Sequence, residues 1–334
     1  MERKLVSIQR IDAIESIADA DAIVKARVMG WDVVVKKGEF AVDDPCVFFE
    51  IDSVLPDGAP WAEFMRPRGF RVKTIRLRGV LSQGLALPVA ILDEGVVPAI
   101  GADVREQLGV HKYEPPVPLN TGAVGPFPSR VPKTDEIRLQ SALGVLEEIR
   151  GQEFVVTTKL DGTSLTFFMD EEGVFHAASR NWSLLRGDTA PWKIAERYRL
   201  EEKLPRGMAV QGELCGPGIQ KNRLDLRAID WFVFDAYDVG GRRRYLEHRE
   251  LLEFCANYDL RTVPIETLVA GDDARSFEHS LERWLELARG EYDGTKNRKE
   301  GIVVRPLHVR HSEVLGGRLS FKVINNDFLL KDED

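Results

Sequence analysis

The chain of 334 residues is poor in cysteine: it has three, Cys46, Cys215 and Cys255, far apart and odd in number, and no Cys-x-x-Cys pair. That excludes a disulfide framework and a cysteine-built zinc site, and the three read as free thiols of a reducing cytoplasm. No run of about eighteen apolar residues occurs, so no membrane-spanning helix is expected. The opening MERKLVSIQRIDAIE has no long apolar core and does not read as a secretory signal. An excess of positive charge is missing too. Lys and Arg number 46 against 54 Asp and Glu, a net charge of −8. This excludes a uniformly basic nucleic-acid sleeve and leaves room only for local basic patches. What is present is an ordinary core, 43% hydrophobic with 30% charged residues, enough for one to three globular domains.

Residues 1–112 read as short β-rich segments. DAIVKARVMGWDVVVKKGEF gives two β-branched runs joined at Met29-Gly30, and CVFFEIDSVL, FRVKTIRLRG and GLALPVAIL continue the series. In FRVKTIRLRG apolar and basic residues alternate until the phase slips near Ile75, where a bulge or kink is expected. Five or so short strands in about a hundred residues predict a small β-barrel of the OB-fold kind. Residues 113–130 fall in a stretch, YEPPVPLNTGAVGPFPSRVP, with six prolines and two glycines, and read as a linker. From 131 to 334 the pattern changes. EFVVTTKLDG, SLTFFMD and GVFHAAS read as a three-strand meander, and PWKIAERYRLEEKL as a helix. MAVQGEL, WFVFDAYD, EGIVVRP and RLSFKVIN read as strands, with two amphipathic helices among them. The whole predicts an α+β protein.

The stretch TTKLDGTS, residues 157–164, sets a lysine at the end of a buried-looking strand. Lys-x-Asp-Gly by itself is a weak signal, produced by average residue frequencies in about one chain in ten of this length. Its bland reading is a strand ending in an Asp-Gly turn. Its neighbours change the weighting: SRN (179–181), GELCGPGIQKN (212–222), WFVFD (231–235), EGIVVR (300–305) and FKVIN (321–325) follow in order.

This order and spacing resemble the covalent nucleotidyltransferases, the superfamily of polynucleotide ligases and capping enzymes. Gly216 to Asn222 reproduce a signature run of the phage RNA ligase 2 branch. The resemblance spans about residues 130–326 and implies antiparallel sheets with helices, akin to ATP-grasp folds. DNA ligases and capping enzymes carry an OB domain after the last motif, whereas here only 12 residues follow Lys322. An accessory domain ahead of the catalytic one, with PKTDEIRLQ (132–140) before the core, looks like the Deinococcus-type RNA ligases.

The resemblance implies a three-step reaction. Lys159 attacks the α-phosphorus of ATP, AMP passes to a 5′-phosphate end, and a 3′-hydroxyl displaces it. A free lysine is almost wholly protonated at neutral pH, so positive neighbours and burial are expected to lower the pKa of Lys159. The implied neighbours are magnesium or manganese, Arg180 and Lys322. Gly162 is expected to let the backbone pass close to the nucleotide. Asp161 holds a metal-bound water or only makes the turn. Glu213 matches the glutamate that binds the ribose, and Arg180 the arginine near the ribose and the 3′-OH end. Phe234 matches the aromatic that stacks on adenine, with Phe232 on the same strand face as the alternative. Val303 covers the other face of the ring. Glu300 sits at the metal, reached through water. Arg305 is a phosphate contact, Lys322 touches the α-phosphate, and Lys133 and Arg138 hold the β- and γ-phosphates. One departure stands out: Ile324 replaces a second lysine of the last motif and cannot bind a phosphate.

In the first domain, RPRGFRVKTIRLR (66–78) carries Arg66, Arg68, Arg71, Lys73, Arg76 and Arg78 and no acid. The stripe reads either as a track for a nucleic-acid backbone or as a solvated strand that protects an edge. The function read from the sequence is an ATP-dependent RNA ligase sealing 3′-OH/5′-phosphate nicks in an RNA duplex or an RNA–DNA hybrid. It is expected to be a cytoplasmic monomer in RNA repair. The alternatives are a DNA ligase or GTP-using capping enzyme, or an inactive nucleic-acid-binding relative.

Overall fold

The computed structural model describes residues 4–92, 99–114 and 122–330. It divides into two compact units: Met1–Pro116 with Leu329–Asp334, and Val117–Phe328.

The first unit is built of short antiparallel strands. Val6–Arg10, Pro45–Phe49 and Leu85–Pro88 form one sheet, and Ala13–Ser16, Ile23–Val28 and Trp31–Lys36 another. Alternation along Trp31–Lys36 sends Trp31, Val33 and Val35 into a core shared with Cys46, Phe48 and Ala86 of the first sheet. The predicted strand FRVKTIRLRG does not form as read. Pro60–Arg68 is a 3₁₀ helix that opens on proline and stops at Gly69 in the left-handed region, and only Ile75–Leu77 is a strand, paired with Val80–Ser82. Local turn chemistry overrides the alternation that suggested an extended run.

The second unit holds two antiparallel-rich sheets. The first runs Ala123–Pro126, Trp182–Leu184, Phe175–Ser179, Thr163–Met169, Met208–Cys215, Asp230–Asp238, Arg244–Tyr245. The second runs Ile137–Arg138, Phe321–Ile324, Gly301–Pro306, Phe154–Lys159, Ile265–Val269. The expected three-strand meander is therefore split. Phe154–Lys159 belongs to the second sheet and its two successors to the first, so the chain crosses from sheet to sheet within Leu160-Asp161-Gly162. The presumed linker also contributes structure: Ala123–Pro126 pairs with Trp182–Leu184, and Phe127 and Val131 are buried against Phe168, Ala178 and Ala209. Residues 115–121 of that linker lie outside the described residues.

Helices cover the outer faces. Ala190–Tyr198 and His248–Tyr258 put Trp192, Ile194, Leu251 and Phe254 against Phe167, Val210 and Trp231 of the first sheet. The helix read as PWKIAERYRLEEKL is broken by Arg199 in the left-handed region, with Leu200–Lys203 as a separate turn. On the second sheet Phe154, Val156, Ile302, Val304, Phe321 and Val323 pack on Val145, Ile149, Ala274 and Trp284. Their alternate neighbours, Lys159, Val303, Arg305 and Lys322, consequently face the cleft between the sheets. No helix among the described residues is long and apolar enough to cross a membrane.

Candidate active site

Lys159 is the last residue of its strand, paired across the ladder with Gly301. Its amine meets the Glu300 carboxylate at 2.7 Å, with the two side chains 23% and 21% exposed, so the pair is sheltered yet reachable from solvent. Glu213, on the facing sheet, and Asp161 complete a ring of three carboxylates around the amine. Burial pulls the lysine pKa down, but the charges of Glu300, Glu213 and Asp161 outweigh it and the net shift is upward. With neither metal nor nucleotide beside it, the immediate neighbours of the amine are anions, which favour its protonated form. The opposite holds for Lys322. Burial, with Lys159 and Arg138 beside it, lowers its pKa to about 7. Burial also raises Glu213 to about 7, the nearby anions adding to the effect and Lys159 opposing it.

Gly162 is required where the crossing loop meets the first sheet. A Cβ there would lie 2.4 Å from the Leu214 carbonyl oxygen and 2.8 Å from Glu213 Cγ, so only glycine lets the crossing loop press on the glutamate strand. The run Gly216–Asn222 lies against the same loop. Gln220 donates to the Gly162 carbonyl at 3.2 Å. The next residue after the run, Arg223, donates to Asp161 at 3.1 Å from a buried position.

Phe232 and Phe234 are half-buried on one face, while Trp231, Val233 and Asp235 are buried on the other. Phe232 pairs directly with Glu213, and a register shift at Gln211/Gly212 re-aims the strand next to Phe234. Val303 faces the cleft between Thr157 and Lys322 in the ladder. A polar cavity of about 160 Å³ touches Lys133, Asp135, Gln211 and Phe234.

Upstream, residues 131–138 form a strap across both sheets. Gln211 donates to the Pro132 carbonyl at 2.7 Å, and Thr134 and Ser164 hydroxyls meet at 2.7 Å. Ile137–Arg138 then runs parallel to Phe321–Ile324, setting Arg138 beside Lys322. Arg180, 61% exposed, pairs with Asp135 of the strap. Lys133 is exposed at the rim of the cavity.

Arg305, expected at a phosphate, is engaged within the protein. Its guanidinium donates to Glu136 at 2.8 Å, to Ser320 at 3.1 Å and to the Phe234 carbonyl at 2.9 Å. Arg318 grips Asp235 with two bonds and stacks 3.7 Å from the centre of the Tyr245 ring. Burial would raise the Glu136 pKa, but Arg305 and Arg318 together hold it below the usual carboxylate range. Two arginines and two acids thus tie the strap, the first sheet and the second sheet into one buried network. Ile324 is buried at 3% exposure, as its apolar side chain requires.

In the first unit the basic stripe is less free than its sequence suggests. Arg66 is paired with Asp57 and Glu63, and Arg71 with Asp52, acids that lie ahead of the window. Arg78 sits in the hairpin turn after Arg76. Arg68, Arg71 and Lys73 instead line an open groove of about 970 Å³ with Arg105, Lys112 and Tyr113. Arg105 and Lys112 carry no sequence signal, because only folding brings them beside residues 68–73. The three thiols are buried, and burial pushes Cys46 and Cys255 up to about 12.

A sheltered lysine at the crossing point of two facing sheets, with a glutamate from each sheet beside it, defines a cleft enzyme of α+β class. The sequence carries the identification further. Residues 152–324 match the model of the RNA ligase family, and residues 5–89 an OB-fold domain. The solved Naegleria gruberi RNA ligase with pyrophosphate is 35% identical over 99% of both chains, with a TM-score of 0.82. A lysine-to-methionine variant of that ligase with AMP and manganese is 35% identical over 99% of this chain and 100% of that one, TM-score 0.83. A glutamate-to-alanine variant with ATP and manganese gives 34%, 99%, 100% and 0.81. A comparison with curated proteins finds no match. The chain belongs to the RNA ligase family, with an N-terminal OB-fold domain and a C-terminal nucleotidyltransferase domain.

Proposed function

We propose that the protein is an ATP-dependent RNA ligase that works through an AMP bonded to Lys159 Nζ. The observation that carries this reading is the Lys159–Glu300 contact of 2.7 Å at the mouth of the sheet-crossing loop. The Naegleria ligase was solved with ATP, AMP, manganese and pyrophosphate. These are the substrate, the transferred group, a metal and the leaving group of such a reaction.

In the first step Lys159 Nζ forms a bond to the α-phosphorus of ATP, and the bond from that phosphorus to the bridging oxygen breaks, releasing pyrophosphate. The amine must first lose a proton, against the pull of its three carboxylates. Among the described residues no cluster of three or more His, Cys, Asp or Glu is arranged to hold a metal. With so few protein donors, Glu300 and Asp161 would hold magnesium or manganese mostly through water. When bound, such a cation supplies positive charge that neutralises these carboxylates and the transferring phosphate. Lys322, facing the same cleft, meets the α-phosphate. Arg138 and Lys133 sit where the outgoing phosphates pass. Glu213 accepts from the ribose hydroxyls. Phe234 and Val303 enclose the adenine. Arg180 approaches the 3′-OH end, after exchanging its bond to Asp135. Arg305 acts through the buried network that holds the strap.

The substrate we infer is a 3′-OH/5′-phosphate nick in an RNA duplex or RNA–DNA hybrid, with RNA on the 3′-OH side. The groove of the first unit would follow its backbone. Residues 1–112 and 131–334 would then divide binding from chemistry, in a cytoplasmic monomer that repairs RNA.

The test is transfer of label from α-labelled ATP to protein stripped with pyrophosphate, with a divalent metal. Wild type takes the label and Lys159→Ala does not; GTP gives none. Unlabelled wild type would sink the ligase reading and bring forward an inactive nucleic-acid-binding relative.

A further inference from the structure

The ladder between Phe154–Lys159 and Gly301–Pro306 ends at the Lys159–Gly301 pair. Beyond it the two chains part, one toward the crossing loop and the other toward residues 290–299. A single phenol closes the gap. The Tyr292 hydroxyl donates to the Lys159 carbonyl at 3.1 Å and accepts from the Glu300 N–H at 3.0 Å. One oxygen thereby ties together the main chains of the two residues whose side chains meet at 2.7 Å.

The phenol is itself held rigidly. Tyr292 is 4% exposed and packs with Leu160, Cys215 and Val263. Its N–H donates to the Asn297 carbonyl at 2.9 Å, and its carbonyl accepts from the Thr295 N–H at 3.1 Å, which closes a tight loop. The Asn297 side chain fastens that loop to the Arg223 carbonyl at 2.9 Å. Glu300 is fixed from its other side, where Asn325 N–H donates to its carbonyl at 2.9 Å. Sequence reasoning has no access to this: Tyr292 lies outside every motif that points to the chemistry.

We propose that Tyr292 is a positioning residue for the first chemical step, its hydroxyl setting the main-chain separation at which Lys159 and Glu300 present their side chains to the nucleotide. The proposal rests on the ligase reading above. In-line attack on phosphorus tolerates little error, and a misplacement of about 1 Å costs on the order of 100-fold in rate. Removing the hydroxyl leaves a carbonyl and an N–H with no partner at that spot, and the ends of the two strands are free to shift. Phe232 and Phe234 pack against the apolar cluster that holds the Tyr292 ring, so the adenine pocket keeps its support as long as the ring is kept.

The experiment is Tyr292→Phe, which keeps the ring and its packing. Rates are normalised to the folded fraction from circular dichroism. Single-turnover transfer of AMP from ATP should fall about 10- to 100-fold at saturating ATP, with apparent ATP affinity within about twofold. Sealing of a nick that already carries AMP on its 5′-phosphate should lose far less, because Lys159 no longer attacks in that step. Equal rates for wild type and Tyr292→Phe would overturn the role of Tyr292 and leave the ligase reading standing. So would equal losses in the two steps, or a loss confined to ATP affinity. Wild type that takes no AMP would overturn both.

Discussion

At the scale of single residues the cleft is a set of charges in tension. In the ligand-free protein Lys159 is held protonated by three carboxylates, while Glu213 titrates near pH 7 instead of its ordinary 4.5. Between those values the folded protein binds more protons than the unfolded chain. Stability contributed by Glu213 is therefore present below about pH 4.5 and lost as pH rises through about 7. Replacing it with glutamine removes that slope. Glu213→Gln should gain stability relative to wild type by on the order of 1–3 kcal/mol between pH 5 and 7.5, read from denaturant melts without nucleotide. A constant difference across that range would refute the assignment. Lys322 behaves oppositely. Its pKa falls from 10.5 to about 7, so the unfolded chain binds more protons between the two and stability rises with pH there. Lys322→Met should flatten the alkaline side of the same curve. The proposed nucleophile Lys159 and the glutamates Glu213 and Glu300 are readable in the sequence, since a motif fixes both the residue type and its order. Tyr292 and Arg223 are not, since neither main-chain contacts nor a partner sixty positions away leave a local pattern.

Elements decide how those residues meet. The Lys-x-Asp-Gly loop works as a crossing between sheets, and alternation along a strand cannot reveal which sheet the next strand will join. The same limit hides part of the linker: proline-rich sequence reads as a spacer, yet residues 123–126 find a strand partner. Arg305 escapes a sequence reading for a related reason. Its position two residues past Val303 puts it on the cleft face, and only the fold brings Glu136 and Asp235 to meet it. Breaking one member of a buried ion network leaves the others uncompensated, at a cost of about 3–5 kcal/mol. Arg305→Met should lower stability by about that amount in denaturant melts. Replacing a true phosphate contact would leave the melt almost unchanged and slow AMP transfer instead. The basic stripe of 66–78 is legible as charge but not as shape, because Asp52 and Asp57 lie outside the window and claim two of its arginines.

On the scale of the whole molecule, the proposed division of binding and chemistry between two compact units should be separable by salt. Changing Lys73 and Lys112 to glutamine should weaken binding to a nicked duplex and reduce the dependence of log K on log salt by about 0.9 for each phosphate no longer neutralised. Lysyl-AMP formation should stay at the wild-type rate. An unchanged slope would remove the groove from the RNA path. The sheet order has a further consequence, for the moment of synthesis. The strand that carries Lys159 is flanked by Ile265–Val269 and Gly301–Pro306, and the strap by Phe321–Ile324. A ribosome that has just made the nucleophile must add about a hundred and forty residues before it reaches Glu300. Until then the first sheet can close on its own helices, but the lysine strand has at most Ile265–Val269 as a neighbour and lacks Glu300 and the strand Gly301–Pro306. The nascent chain should therefore take no AMP while those residues are being added, and the Lys159–Glu300 pair can form only once Glu300 has been made.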